Sequence, residues 1–219
     1  MPGASGCLGG GGTLWVVLPF AQVDTILTDR LEVRPFERAD RDGLAELQRW
    51  PGLTRFLGWD PPSDPELEER LERKISSTLL GADGDQLNLA VRWRGHPTLI
   101  GDVTVLVESA EHAQVEVGYV IRPDHQLRGA ATEAVRALLR LCFEGIGAHR
   151  VTGRVDARNL ASAAVLERVG MRCEGRFNQS VLIRGEWTDE VVFAVLAAEW
   201  CGEDGPLERS SDRDGPSAG

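Results

Sequence analysis

The run DHQLRGAATEA, Asp124 to Ala134, sets a glycine-containing turn directly in front of a helical pattern. In such a turn several backbone N–H groups can converge on one concavity beside the positive end of the helix dipole. That arrangement favours an anion such as a pyrophosphate. Gly129 lets the backbone approach a ligand closely, Ala130 and Ala131 leave room, Arg128 adds a charge and Thr132 a hydroxyl. The same residues would also serve a helix that merely starts at a convenient glycine. Neither the G-x-G-x-x-G fingerprint nor the G-x-x-x-x-G-K-[ST] phosphate loop accompanies them.

A carboxylate is the second candidate. Within QVEVGYVI, alternation puts Glu116, Gly118 and Val120 on one face and Val115, Val117, Tyr119 and Ile121 on the other. A glutamate in the middle of so apolar a strand faces a cleft, a partner or the solvated side of an antiparallel sheet. In NLASAAVLERVG, Asn159 suits a helix cap and Gly170 a helix stop. Ser162 follows the cap by about one turn. It reads equally as a small residue on a packed, alanine-rich helix. Cys7, Cys142, Cys173 and Cys201 contain no C-x-x-C pair, and His96, His112, His125 and His149 no H-x-x-x-H pair, so neither a metal site nor a redox site is expected.

The elements that would position these residues follow from periodicity. LEVRPF alternates as a strand, ADRDGLAELQRW has helical spacing at Leu44, Leu47 and Trp50, and SDPELEERLERKISSTLL reads as a helix capped at Ser63 or Asp64. Its apolar stripe is Leu67, Leu71, Ile75 and Leu79. QLNLAVRW, TLIGDVTVLV and AQVEVGYVIR form an antiparallel meander. A helix to about Phe143, the strand HRVTGRVD, the Asn159 helix and the strands MRCEGRFNQSVLI and TDEVVFAVLA complete one mixed α/β domain. RWPGLTRFLGWDPP, with Trp50, Phe56 and Trp59, is aromatic for a loop and reads as a binding wall or as an anchored loop.

With 219 residues the chain suits one full domain. A net charge of -10 speaks against a general nucleic-acid binder and tolerates cationic partners. Scattered cysteines suit a reduced, cytoplasmic protein. The apolar run Leu14 to Ala21 is far below the ~20 residues that span a bilayer and lacks a preceding positive region, so no membrane partner is expected. Residues 1–27 read as an N-terminal extension, disordered to about Gly12, residues 28–200 as the domain, and residues 201–219 as a disordered tail.

Taken together, Gln126-Leu127-Arg128-Gly129-Ala130-Ala131 resembles the Q/R-x-x-G-x-G/A pattern that binds acyl-CoA pyrophosphate in the GNAT acetyltransferases. TDRLEVRPF resembles that family's opening strand, EVGYVIRPDHQLRGAATEA its fourth strand, turn and third helix, and GEWTDEVVFAVL its closing strands. NLASAAVLERVGMRCEG resembles the segment of the subgroup containing the ribosomal-protein alanine and serine N-acetyltransferases. The resemblance covers about Thr28 to Trp200. It implies the GNAT fold, α/β (α+β), with a mostly antiparallel sheet of six to seven strands splayed between the fourth and fifth and flanked by about four helices.

Acetyl-CoA would be the co-substrate, with pantetheine against the backbone around Val120 and Ile121 and pyrophosphate on the amides from Leu127 to Thr132. Asn159 would contact the pantetheine arm, Glu116 would serve as the base and Ser162 would lie near the thioester sulfur. Leu127 stands where many relatives have glycine and accepts positive φ poorly, and Ala130 stands where many have an aromatic. The general acid is unassigned: Tyr119, the one tyrosine, is expected in the core facing away from Glu116, and Phe177 and Phe193 cannot donate a proton. The implied reaction is direct acetyl transfer in a ternary complex to a primary amine. The acceptor is a protein or peptide N terminus, or alternatively an amino acid, polyamine or aminoglycoside. A non-catalytic acyl-CoA sensor is the rival, and a homodimer with Leu14–Ala21 at its interface is compatible with the family.

Overall fold

The computed structural model describes residues 20–21, 23–200 and 208–209. Two-residue strands β1 (Phe20–Ala21) and β2 (Ile26–Leu27) precede β3 (Leu31–Pro35), whose Leu31 and Val33 are buried. Helix α1 (Arg41–Gln48) buries Leu44 and Leu47. Helix α2 (Asp64–Ser76) starts at a reciprocal capping box between Ser63 and Glu66, with a proline in its first turn, and buries Leu67 and Leu71. It ends before Leu79, contrary to the periodic reading. The Arg73 carbonyl accepts the last helical bond from Ser77 N–H at 3.0 Å together with the Ser76 and Ser77 hydroxyls, and Leu79–Leu80 forms β4 against β1.

The meander follows as β5 (Gln86–Trp93), β6 (Leu99–Ser109) and β7 (Gln114–Ile121). Helix α3 (Ala130–Arg140) runs on into a π-helical turn at Leu141–Ile146. After it come β8 (Arg150–Asp156), α4 (Leu160–Arg168), β9 (Arg172–Ile183), β10 (Glu186–Leu196) and β11 (Glu208–Arg209). The large sheet has the order β11-β2-β3-β5-β6-β7-β8-β10-β9. Seven long strands make its body, as expected, and the short β2 and β11 extend one edge. Strand β11 falls in the stretch read as a disordered tail. The rest of that stretch, the segment to Gly12 and most of the Leu14–Ala21 run lie outside the described residues.

Neighbouring strands are antiparallel except β7 and β8, which run parallel and pair only at Gln114–Arg150, Val115–Val151 and Glu116–Thr152. Beyond those pairs β7 continues alongside β6 as far as Ile121, while β8 stays with β10 as far as Asp156. The sheet therefore opens into a V between the fourth and fifth of its long meander-and-crossover strands. The main core, including Val103, Val117, Leu138 and Leu166, fills the face covered by α3 and α4. A smaller one, Phe36, Leu44, Leu47, Leu67, Leu71, Ala90 and Leu99, lies under α1 and α2.

Candidate active site

The turn before α3 is built around two left-handed residues, Leu127 at φ 59° and Gly129 at φ 82°. Gly129 caps the helix without any side-chain hydrogen bond, and its carbonyl accepts the first helical bond from Glu133 N–H at 3.0 Å. The amides of Ala130 to Thr132 thus precede the hydrogen-bonded ladder and have no intrahelical acceptor. Gln126 ties the turn to the sheet by donating Nε2 to the Ile121 carbonyl at 2.8 Å. Arg30 braces it from below: Nη1 donates to the Arg128 carbonyl at 2.9 Å and Nε to Glu133 at 2.7 Å. The φ of Gly129 favours glycine, and a Cβ there would come within 3.0 Å of Arg30 Nη2, so the guanidinium would have to shift to admit one.

The backbone of β7 beyond Glu116 alternates between its two neighbours. Arg122 N–H bonds the Ile100 carbonyl on the β6 side, and the Val120 carbonyl also points to β6, within 2.2 Å of where a Gly101 Cβ would stand. By alternation Tyr119 and Ile121 turn their backbone polar groups into the V. Across the V, Asn159 Oδ1 accepts from Ser162 N–H at 3.2 Å and caps α4. The cap uses only the oxygen and leaves the Nδ2 donors for a ligand. Tyr119 donates its hydroxyl to the Ser162 carbonyl at 2.9 Å, and burial pushes its pKa up to about 12, so the phenol keeps its proton near neutrality.

One cavity of about 1450 Å³ joins these parts, running from Leu127 and Gly129 past Tyr119 and Ser162 to Phe56 and Trp59. At the end under α2 its floor is polar: Lys74 bonds Asp102 at 2.6 Å and Asn88 at 3.2 Å, and Thr104 donates to Asn88 at 3.0 Å. Glu116 stands at the last β7–β8 pair and accepts from Arg154 Nε at 3.1 Å. Burial, reinforced by Glu108 and Glu190 and opposed by Arg154, holds its carboxyl above the usual carboxylate range.

Residues 30–172 match the family model described as an acetyltransferase (GNAT) domain. The chain belongs to the GNAT acetyltransferases. The N-acetyltransferase YnaD of Bacillus subtilis is 30% identical over 80% of this chain and 98% of its own length. The ribosomal protein uS5 alanine N-acetyltransferase of Escherichia coli is 29% identical over 46% of the chain and 52% of its own. Among solved structures, a GNAT-family acetyltransferase from Bacillus anthracis aligns with a TM-score of 0.72 at 26% identity, covering 80% of this chain and 99% of the other.

This GNAT enzyme is an N-acetyltransferase with acetyl-CoA as its co-substrate, and its own residues fit that molecule. The V exposes unpaired strand backbone suited to the amides of pantetheine. The Gly129 cradle at its end, with the free first-turn amides of α3, suits a pyrophosphate. Of the residues singled out by sequence, Val120, Ile121, Gln126, Leu127, Gly129, Ala130, Ala131, Thr132, Asn159 and Ser162 all border the cavity. Arg128 and Glu116 are not among its lining residues, although Arg154, the partner of Glu116, is.

Three sequence readings change in detail. Val120 turns its carbonyl to β6 and Gln126 occupies the Ile121 carbonyl, so the free backbone of the V consists of the Tyr119 N–H and carbonyl and the Ile121 N–H. Tyr119 faces away from Glu116 as read, yet it is only half-buried and borders the cavity. In the aromatic loop, Phe56 and Trp59 border the cavity, whereas Trp50 lies under the Arg122 guanidinium at 5.3 Å. Arg30 and Arg154 escaped the sequence reading. An arginine in a strand or turn carries no periodic signal, and both bond partners at least 36 residues away. Among the described residues no group of histidine, cysteine and carboxylate side chains could hold a metal ion, and no helix is long and apolar enough to cross a membrane.

Proposed function

We propose that this N-acetyltransferase moves an acetyl group directly from acetyl-CoA to the α-amine of a protein or peptide N terminus, in the cytoplasm. The observation that carries this reading is the single cavity joining the Gly129 cradle to the polar floor under α2, which lets donor and acceptor meet at the V. Its volume exceeds the roughly 300–1,000 Å³ of a small-ligand site, as two substrates held together require. The likeness to the uS5 alanine N-acetyltransferase and the NLASAAVLERVGMRCEG segment support a protein acceptor. Free Cys142 and Cys173 suit a reducing compartment.

Acetyl-CoA supplies an activated acyl group on a leaving thiolate. The amides from Leu127 to Thr132 hold its pyrophosphate, and the Tyr119 and Ile121 backbone with Asn159 Nδ2 holds its pantetheine arm. Glu116 takes the amine proton through water, since it stands outside the cavity wall, and its raised pKa makes it a stronger base than an ordinary carboxylate. Ser162 sits at the first turn of α4, beside the sulfur. Residues 28–200 form the catalytic domain.

The test is thiol release from acetyl-CoA with peptides ending in alanine or serine, set against spermidine, free amino acids and an aminoglycoside. Turnover with the peptides alone is expected. Turnover with small amines alone would move the acceptor class, and tight acetyl-CoA binding without turnover on any acceptor would make the chain a sensor. Glu116→Gln is expected to lower kcat about 10²-fold. A base must be ionised, so kcat/KM should fall as pH drops through the raised Glu116 pKa, at a pH above the ordinary carboxylate range.

A further inference from the structure

Carboxylates from three strands converge on one guanidinium. Arg154, on β8 two residues past the last β7–β8 pair, donates through Nε to Glu116 on β7 at 3.1 Å, through Nη1 to Glu190 on β10 at 3.1 Å and through Nη2 to Glu108 on β6 at 3.2 Å. Each nitrogen serves a different strand, so the planar fork of arginine is used in full, and a lysine ammonium could not reproduce it. Glu108 is held in addition by the Thr152 hydroxyl at 2.7 Å. The three carboxylates are largely covered, with 25%, 18% and 22% of the Glu116, Glu190 and Glu108 side chains exposed. The arginine itself borders the cavity.

The cluster holds three acidic groups for one basic group, which leaves it short of positive charge. Arg154 is the opposite charge facing Glu116, and Glu108 and Glu190 are the like charges facing it. Glu108 and Glu190 also hold the guanidinium in place from the two strands flanking β7 and β8. Glu116 uses only Oε2 in this contact, and among the described residues no donor bonds its Oε1.

We propose that Arg154 is a positioning residue for acetyl transfer, fixing the Glu116 carboxylate at the mouth of the V and keeping it ionised against burial and its two acidic neighbours. The proposal rests on the reading of Glu116 as the base. Because it makes a statement about Glu116 alone, it can be tested without the acceptor. The measurement is a carboxyl-carbon NMR titration of protein labelled at glutamate Cδ, with Glu116→Gln to assign the signal.

In Arg154→Met the Glu116 midpoint is expected to rise by about one pH unit or more, the size of shift an adjacent opposite charge produces. Glu190→Gln, a near-isosteric change that leaves the fork in place, is expected to lower it. Arg154→Lys should keep the midpoint near that of the parent protein. An unchanged or lower midpoint in Arg154→Met overturns the proposal, and should the methionine variant not fold, Arg154→Gln is read in the same way. Turnover undiminished in Glu116→Gln would remove the base itself, and with it the positioning role, even if the midpoints move. The two failures are therefore distinguishable.

Discussion

Leu127 holds φ 59° with its side chain fully exposed at the lip of the cavity. A left-handed conformation costs an ordinary residue roughly 1–2 kcal/mol, and nothing packs on this leucine to offset it. Leu127→Gly removes that strain but adds unfolded-chain freedom worth about 0.5–1 kcal/mol, so a thermal melt should show stability unchanged or slightly raised. The acetyl-CoA dissociation constant should stay the same within about twofold, since the amides keep their places. Gly129→Ala is the opposite case, because φ 82° and the nearby Arg30 guanidinium both resist a methyl group. Calorimetry should show acetyl-CoA bound at least tenfold more weakly, equivalent to about 1.4 kcal/mol. The glycine was legible in the sequence because a turn residue and its neighbours are contiguous. The arginines were not, because Arg30 meets the turn only after the chain has folded across about a hundred residues.

Among the elements, β3 and α1 are joined by a buried ion pair in which Arg34 Nη1 and Nη2 donate to the two Asp40 oxygens at 2.8 and 2.7 Å. Asp40 also accepts from Glu37 N–H at 2.8 Å and so fixes the entry into α1. Removing one partner strands the other charge in the interior. Arg34→Met should therefore lower unfolding free energy by about 3 kcal/mol in urea, with the m-value unchanged. Periodicity exposed the long elements: the α2 stripe at Leu67 and Leu71 and the alternation of β7 stand in the structure as the pattern implied, and of the two caps offered, Ser63 and Asp64, the structure uses Ser63. It failed where Leu79 continued the helical spacing by coincidence, since the last helical bond is made by Ser77 N–H and β1 offered Leu80 a strand partner. The two-residue strands β2 and β11 left no trace in the sequence, since two residues are too few to show an alternation.

At the scale of the whole molecule, apolar clusters on both faces of one sheet share the strands β5 to β7, so unfolding by fluorescence and by circular dichroism should coincide despite the V. Loss of coincidence would mean that the sheet opens in two stages. The V has a further consequence. Where β7 leaves β8, a central strand acquires the open hydrogen-bonding edge that proteins elsewhere bury, cover or blunt. An edge of that kind is completed by an extended chain laid alongside it, and the amide-bearing arm of acetyl-CoA has the shape of a short peptide. Binding should then act as strand addition. The Tyr119 and Ile121 amides should exchange with deuterium quickly in the free protein and at least tenfold more slowly with acetyl-CoA. The Gly118 and Val120 amides, already bonded to β6, should keep their protection unchanged.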